Sequence, residues 1–297
     1  MLAEHSVVVG VDGSESSLDA VAWAAADASR RARPLHILHA FLWPATYAPI
    51  TAPMPVSAPH EESARQAGEQ TLAAAEARAR TVAPGIRITT ATQVQSSAPA
   101  LLEASRHAGV LVVGSRGHGG FAGLLLGSVG VELAAHAECP VVIVRHEERP
   151  AGPEAGRVVV GVDGSGDCDD ALHFAFEQAS YRGVGLTAVL VYEWPASTGP
   201  ARGMWPPAAD ADAVREEHER ALVESASGWA EKYPDVDFRP AVVSGRPGPA
   251  LNNRSAGAEL LVVGSRGRGA FTGMLLGSVS QTAIHYAGCP VAIVRQH

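Results

Sequence analysis

Residues 7–14 read VVVGVDGS, and residues 158–165 read VVVGVDGS again, 151 positions later. Valines this dense point to a strand buried on both faces. Asp-Gly-Ser directly after them is turn and helix-capping chemistry. A second pair of blocks follows: residues 114–129 read GSRGHGGFAGLLLGSV and residues 264–279 read GSRGRGAFTGMLLGSV, at an offset of 150, with twelve of sixteen positions identical. Cys139-Pro140-Val141 and Cys289-Pro290-Val291 keep that register. The period far exceeds the roughly 20–50 residues of a solenoid unit, so it marks a duplicated domain. The change of offset needs one deletion in a loop. A first domain is expected at 1–147 and a second at 157–297, joined by a charged, Pro/Gly-rich linker at 148–156.

Outward from these blocks, strand and helix patterns alternate. The first half predicts a strand at 5–11, an alanine-rich helix at 15–32 and a strand at 35–42. A proline-rich loop from Trp43 to Pro59 precedes a helix at 61–82, a strand at 86–94 and a short helix at 99–108. A strand at Val110–Val113, a helix at 129–137 and a strand at Val141–Val144 complete it, and the order repeats from Val158 to Val294. Such alternation gives an α/β fold: five strands per domain in a mostly parallel sheet, with right-handed crossovers and helices on both faces.

The segment between the fourth strand and the last helix carries the chemistry. It reads Gly114-x-x-Gly117, nine residues, Gly127-Ser128, and again Gly264-x-x-Gly267, nine residues, Gly277-Ser278. Glycines let a ligand approach backbone N–H groups closely. A helix start beyond them adds unpaired N–H groups and the positive end of a dipole, so the arrangement suits phosphate. Ser128 and Ser278 can cap the helix or donate to a phosphate oxygen. Asp12 and Asp163 follow the first strand of each half, where a carboxylate can accept from ribose hydroxyls or help hold a metal. Each also suits an ordinary Asp-Gly-Ser turn. In open parallel sheets the loops after strands one and four meet at a ligand crevice.

G-x-x-G-x9-G-S after V-V-G, with V-x-V-D-G-S at the domain start and C-P-V-x-I-V at its end, resembles the universal stress protein family, and within it the ATP-binding branch. The resemblance covers nearly the whole chain, twice. It implies a flavodoxin-like, Rossmann-like layering with strand order 3-2-1-4-5 in each domain. It implies ATP as the bound cofactor, with Mg2+ as an accompanying ion. By that likeness Val11 and Asp12 border base and ribose, Ala40 lines the adenine, and Gly114, Gly117, Gly127, Ser128 and Val129 hold the phosphates. The second site is then Val162, Asp163, Val191, Gly264, Gly267, Gly277, Ser278 and Val279. Family members pair domains through their last strands, so Val141–Val144 and Val291–Val294 are expected to pair, and two-domain chains to form a homodimer.

The two halves differ. Val243-Ser244-Gly245 ends the third strand of the second half where the first carries Val94-Gln95-Ser96, so the first pocket is expected to be the tighter. Asp167, Asp169 and Asp170 cluster at a helix start in the second half, favouring that helix's dipole and opposing a nearby anion. His118 corresponds to Arg268. Arg116 and Arg266 occupy one duplicated position and are phosphate candidates.

Other chemistry falls away. A net charge of −8 argues against broad attraction to nucleic acid or anionic membrane. Lys232 is the only lysine, in helix-end surroundings, so no P-loop lysine is available. The cysteines Cys139, Cys168 and Cys289 form no C-x-x-C pair and read as small buried residues. His36 and His39 share a strand and have no counterparts; core or surface packing is the expected role. Trp43 and Trp194 precede prolines and are read as packing. No G-x-S-x-G elbow and no G-x-G-x-x-G fingerprint are present. No basic start with a long apolar run opens the chain, and no apolar run reaches the ~18 residues of a membrane span, so the cytoplasm is the expected location. The expected function is nucleotide-dependent regulation of an unknown protein partner. The alternatives are a slow Mg-dependent ATP hydrolase using Asp12 and Asp163, and a dimerisation module with vestigial pockets.

Overall fold

The computed structural model describes residues 4–42, 58–117, 127–145, 152–164, 168–193, 211–267 and 275–296. The chain divides into two units, Met1–His146 and Glu147–His297. In the first, the order is β1 (Ser6–Val11), α1 (Glu15–Arg30), β2 (Leu35–Phe41), α2 (Ala58–Val82), β3 (Ile88–Val94), α3 (Ser97–Ser105), β4 (Ala108–Gly114), α4 (Ser128–His136) and β5 (Val141–Val144). The second repeats it as β6 (Val158–Val162), α5 (Asp169–Arg182), β7 (Leu186–Tyr192), α6 (Ala211–Lys232), β8 (Phe238–Ser244), α7 (Pro247–Arg254), β9 (Leu260–Gly264), α8 (Ser278–Tyr286) and β10 (Val291–Val294).

The first sheet runs β3-β2-β1-β4-β5 and the second β8-β7-β6-β9-β10, with every strand pair within each unit parallel. Helices α1 and α2 pack together, as do α3 and α4, and each pair covers the sheet. The valines of β1 and β6 are buried because helices lie on both sides of them. Small residues set the spacing: Ala20, Ala24, Ala25 and Ala28 of α1 are buried against β1 and β4. Gly10 of β1 leaves room for α3, since a Cβ there would lie 2.8 Å from Leu101 Cδ1. Gly161 does the same for Leu251, also at 2.8 Å.

Two helices start earlier than expected. α2 begins at Ala58 and α3 at Ser97. Pro59 and Pro99 therefore fall in first turns, where a missing N–H costs nothing. Within the stretch expected as a linker, Gly152–Gly156 is folded onto the second unit. The Gly156 N–H donates to Gly257 O at 3.2 Å, and the buried Glu154 carboxylate accepts from Arg254 Nη1 at 2.7 Å and Thr187 Oγ1 at 2.8 Å. Among the described residues no helix is long and apolar enough to cross a membrane.

Candidate functional site

β1 is flanked by β2 and β4, and the strand order reverses at β1/β4. This is where a parallel sheet opens a crevice beyond its carboxyl ends. The turn after β1 uses Asp12 twice. Its Oδ1 accepts from Ser14 N at 3.0 Å and Ser14 Oγ at 2.6 Å, while Ser14 Oγ in turn accepts from Ser17 N at 3.2 Å and so caps α1. Its Oδ2 lies against Gly117, where a side chain's Cβ would sit. In the second unit Asp163 Oδ2 lies 2.9 Å from the equivalent position of Gly267. The carboxylate after strand one and the second glycine of G-x-x-G therefore touch in both units. Neither contact tolerates a side chain without displacement.

The first glycine is also close-packed. A Cβ on Gly114 would lie 2.6 Å from the Ser16 carbonyl oxygen, and the Arg116 N–H donates to Ser16 Oγ at 3.3 Å, pinning the loop to the start of α1. Its far end returns to the strand: the Gly127 N–H donates to Ser115 O at 2.9 Å, and the Gly277 N–H to Ser265 O at 2.8 Å. Those two amides are thus engaged within the protein. Gly127 and Gly277 are the N-caps of α4 and α8, with extended backbone and no side chain to satisfy the first-turn N–H groups. Ser128 and Ser278 stand one position further in, as the first helical residues. They do not cap their helices, and both are exposed. No side chain caps the first-turn N–H groups of either helix.

On the base side, Val11 and Val162 are buried. Ala40 and Val191 are half-buried near the ends of β2 and β7, and Ala40 O accepts from Ser97 Oγ at 3.3 Å. The Val11 carbonyl accepts from His39 Nδ1 at 2.9 Å. Beside Ser128 and Val129 a cleft of about 400 Å3 opens between the starts of α3 and α4, lined also by Leu42, Ser97, Pro99 and Glu132. His39, Leu42, Ser97 and Glu132 were not expected at the site. The one signal for them in the sequence is that His39 and Ser97 stand where the second half has Leu190 and Pro247.

The comparison of third-strand ends needs correction. Val94 pairs with Phe41, and Ser244 pairs with Tyr192, so Val94 corresponds to Ser244 rather than Val243. In the first unit the cleft lies where α3 meets α4. In the second unit α7 and α8 approach closely instead: a Cβ on Gly248 would lie 2.9 Å from Thr282 Cβ. Asp169 and Asp170 are in the first turn of α5, and Cys168 Sγ lies 3.8 Å from Asp163 Oδ1. Arg116 and Arg266 are exposed. His118, Arg268, Asp167, Trp43 and Trp194 lie outside the described residues. Among the described residues no group of three His, Cys, Asp or Glu side chains is arranged to hold a metal.

The universal stress protein family matches the chain twice, over residues 5–145 and 154–295. Universal stress protein Rv2005c of Mycobacterium tuberculosis is 38% identical over 297 residues, spanning 99% of this chain and 98% of that protein. A universal stress protein from Archaeoglobus fulgidus has the same fold, with a TM-score of 0.67 at 20% identity over 99% of this chain and 97% of that one. A further universal stress protein, solved in complex with cAMP, is 32% identical over 50% of this chain and 100% of that one, with a TM-score of 0.37. Two copies of one domain, each with a glycine loop closing on the carboxylate after its first strand, are what those matches span, and the chain belongs to the universal stress protein family.

Proposed function

We propose that the chain binds ATP in two pockets, one per unit, and acts as a nucleotide-dependent regulator rather than a fast enzyme. The observation that carries the reading is the duplicated contact of Asp12 Oδ2 with Gly117 and Asp163 Oδ2 with Gly267. It brings a carboxylate suited to ribose hydroxyls to the rim of a loop that ends on an uncapped helix. Backbone N–H groups at such a helix start favour phosphate oxygens, and the absent side chains of Gly114 and Gly117 let the loop close on Ser16 and Asp12. Val11, Ala40, Ser128 and Val129 complete the first site. Val162, Val191, Gly264, Gly277, Ser278 and Val279 complete the second with Asp163 and Gly267. Mg2+ bridging the phosphates would sit toward the aspartates. The reading extends to a cytoplasmic homodimer of two-domain chains whose nucleotide occupancy is sensed by a protein partner.

The test is nucleotide retention. Native mass spectrometry of the purified chain is expected to show up to two bound ATP. The Gly117→Ala/Gly267→Ala variant should lose both, because each new methyl meets a carboxylate oxygen. Retention undiminished by that double change sinks the cradle. Sustained Mg-dependent turnover that Asp12→Ala and Asp163→Ala abolish would replace the regulator with an enzyme.

A further inference from the structure

We propose that His39 is a positioning residue of the first nucleotide site and that its absence from the second makes the two sites unequal. The inference rests on the nucleotide reading above. Val11 is the last residue of β1 and is in register with His39 of β2. On its other side, pairing of β1 with β4 ends at Val9 and Val112. The peptide joining Val11 to Asp12 therefore leaves the sheet with a ladder partner on one side. His39 Nδ1 lies 2.9 Å from the Val11 oxygen, and a carbonyl only accepts, so Nδ1 carries the proton. The described peptide bonds are all trans. In a planar trans peptide, fixing the C=O also fixes the N–H, which points the opposite way. His39 thereby sets the plane from which Asp12 departs, with Oδ1 held in the Ser14 turn and Oδ2 against Gly117.

The ring is itself held. It stacks on Phe41 with centroids 5.8 Å apart, and α2 passes over it at Gly68, where a Cβ would lie 3.1 Å from His39 Cδ2. Glycine at 68 is thus the residue that admits the imidazole beneath the helix. The second unit is arranged differently. Leu190 takes the register position opposite Val162 and has no donor for its carbonyl. His218 stands on α6 at the place of Gly68 and meets the Tyr192 ring at 5.0 Å instead. The imidazole thus lies on the strand in the first unit and on the helix in the second, where it stays away from the Val162 position. Only the first arrangement ties down the peptide ahead of the aspartate.

The experiment isolates each site in the full chain and measures ATP affinity by calorimetry. In an Asp163→Ala parent, which leaves the first site, His39→Leu installs the second unit's residue, and His39→Asn keeps an N–H donor at comparable reach. We expect His39→Leu to weaken binding about fivefold, the effect of one lost hydrogen bond, and His39→Asn to stay within about twofold. In an Asp12→Ala parent, which leaves the second site, His39→Leu should change nothing. Equal weakening by Leu and Asn, no weakening by Leu, or a matching loss at the second site overturns the positioning role. An Asp163→Ala parent that binds no ATP overturns the nucleotide reading of the first unit, and His39's role with it.

Discussion

Gly117 matters for an atom it lacks, and Asp12 because its two oxygens face different ways. The same fine scale governs the reactivity of Cys139. Cys139 is buried between α4 and β5, and burial pushes its thiol up to about 12. At about pH 8 that leaves on the order of one molecule in ten thousand as thiolate, the form that attacks alkylating reagents. Native protein treated with iodoacetamide at about pH 8 should leave Cys139 unlabelled, and the same protein in denaturant should label it fully. Peptide mass spectrometry reads the outcome. Labelling as fast in the native as in the unfolded state would mean that the wall around Cys139 opens readily.

At the scale of elements, β2 carries two histidines with different work. His39 reaches the site, whereas His36 is buried and shares a hydrogen bond of 2.8 Å with Thr89 Oγ1 on β3. Burial holds the His36 pKa below its ordinary 6.5, so the folded state prefers the neutral ring. Stability from this pairing is complete above the unfolded value and is lost as pH falls through the folded one. Amide exchange in β3, corrected for intrinsic rates, should be faster at about pH 5.5 than at about pH 7.5. His36→Thr, which installs the counterpart residue Thr187, should flatten that difference; an unchanged pH response in the variant assigns it to another group. The elements themselves were legible because valine runs and alanine-rich stretches carry their own periodicity. Their starts were less so: Pro59 read as a breaker yet sits in a first turn, and α3 begins two residues ahead of Pro99. The glycine loops and aspartates were legible because their chemistry is local and duplicated. His39 and Ser97 were not, because their contacts cross from β2 to β1 and from α3 to β2. The misaligned Val94 failed for a related reason: loop lengths differ between the halves, and only strand register restores the correspondence.

For the whole molecule, duplication has copied the sheet and the site but not the entry into the first strand. β6 is preceded by a turn anchored through Glu154, whose side chain is 7% exposed and bonded to Arg254 and Thr187. Arg157, in the same turn, bonds Thr187 Oγ1 at 2.9 Å, Leu186 O at 2.9 Å and Asp237 Oδ2 at 2.6 Å. These groups bind the turn to α7, β7 and the approach to β8, all within the second unit. Removing the buried carboxylate leaves a hydroxyl and a guanidinium without their acceptor, a loss of about 2–3 kcal/mol. Because each unit has its own core, the cost should fall on one of them. Glu154→Ala is therefore expected to speed amide exchange in β6 and β7 while leaving β1 and β2 as slow as before. Glu154→Gln, which keeps an acceptor for Thr187 but removes the charge facing Arg254, should lie between. Equal acceleration in both units would show that the chain opens as one body, and unchanged β6 and β7 would show that the turn contributes nothing to the core it closes.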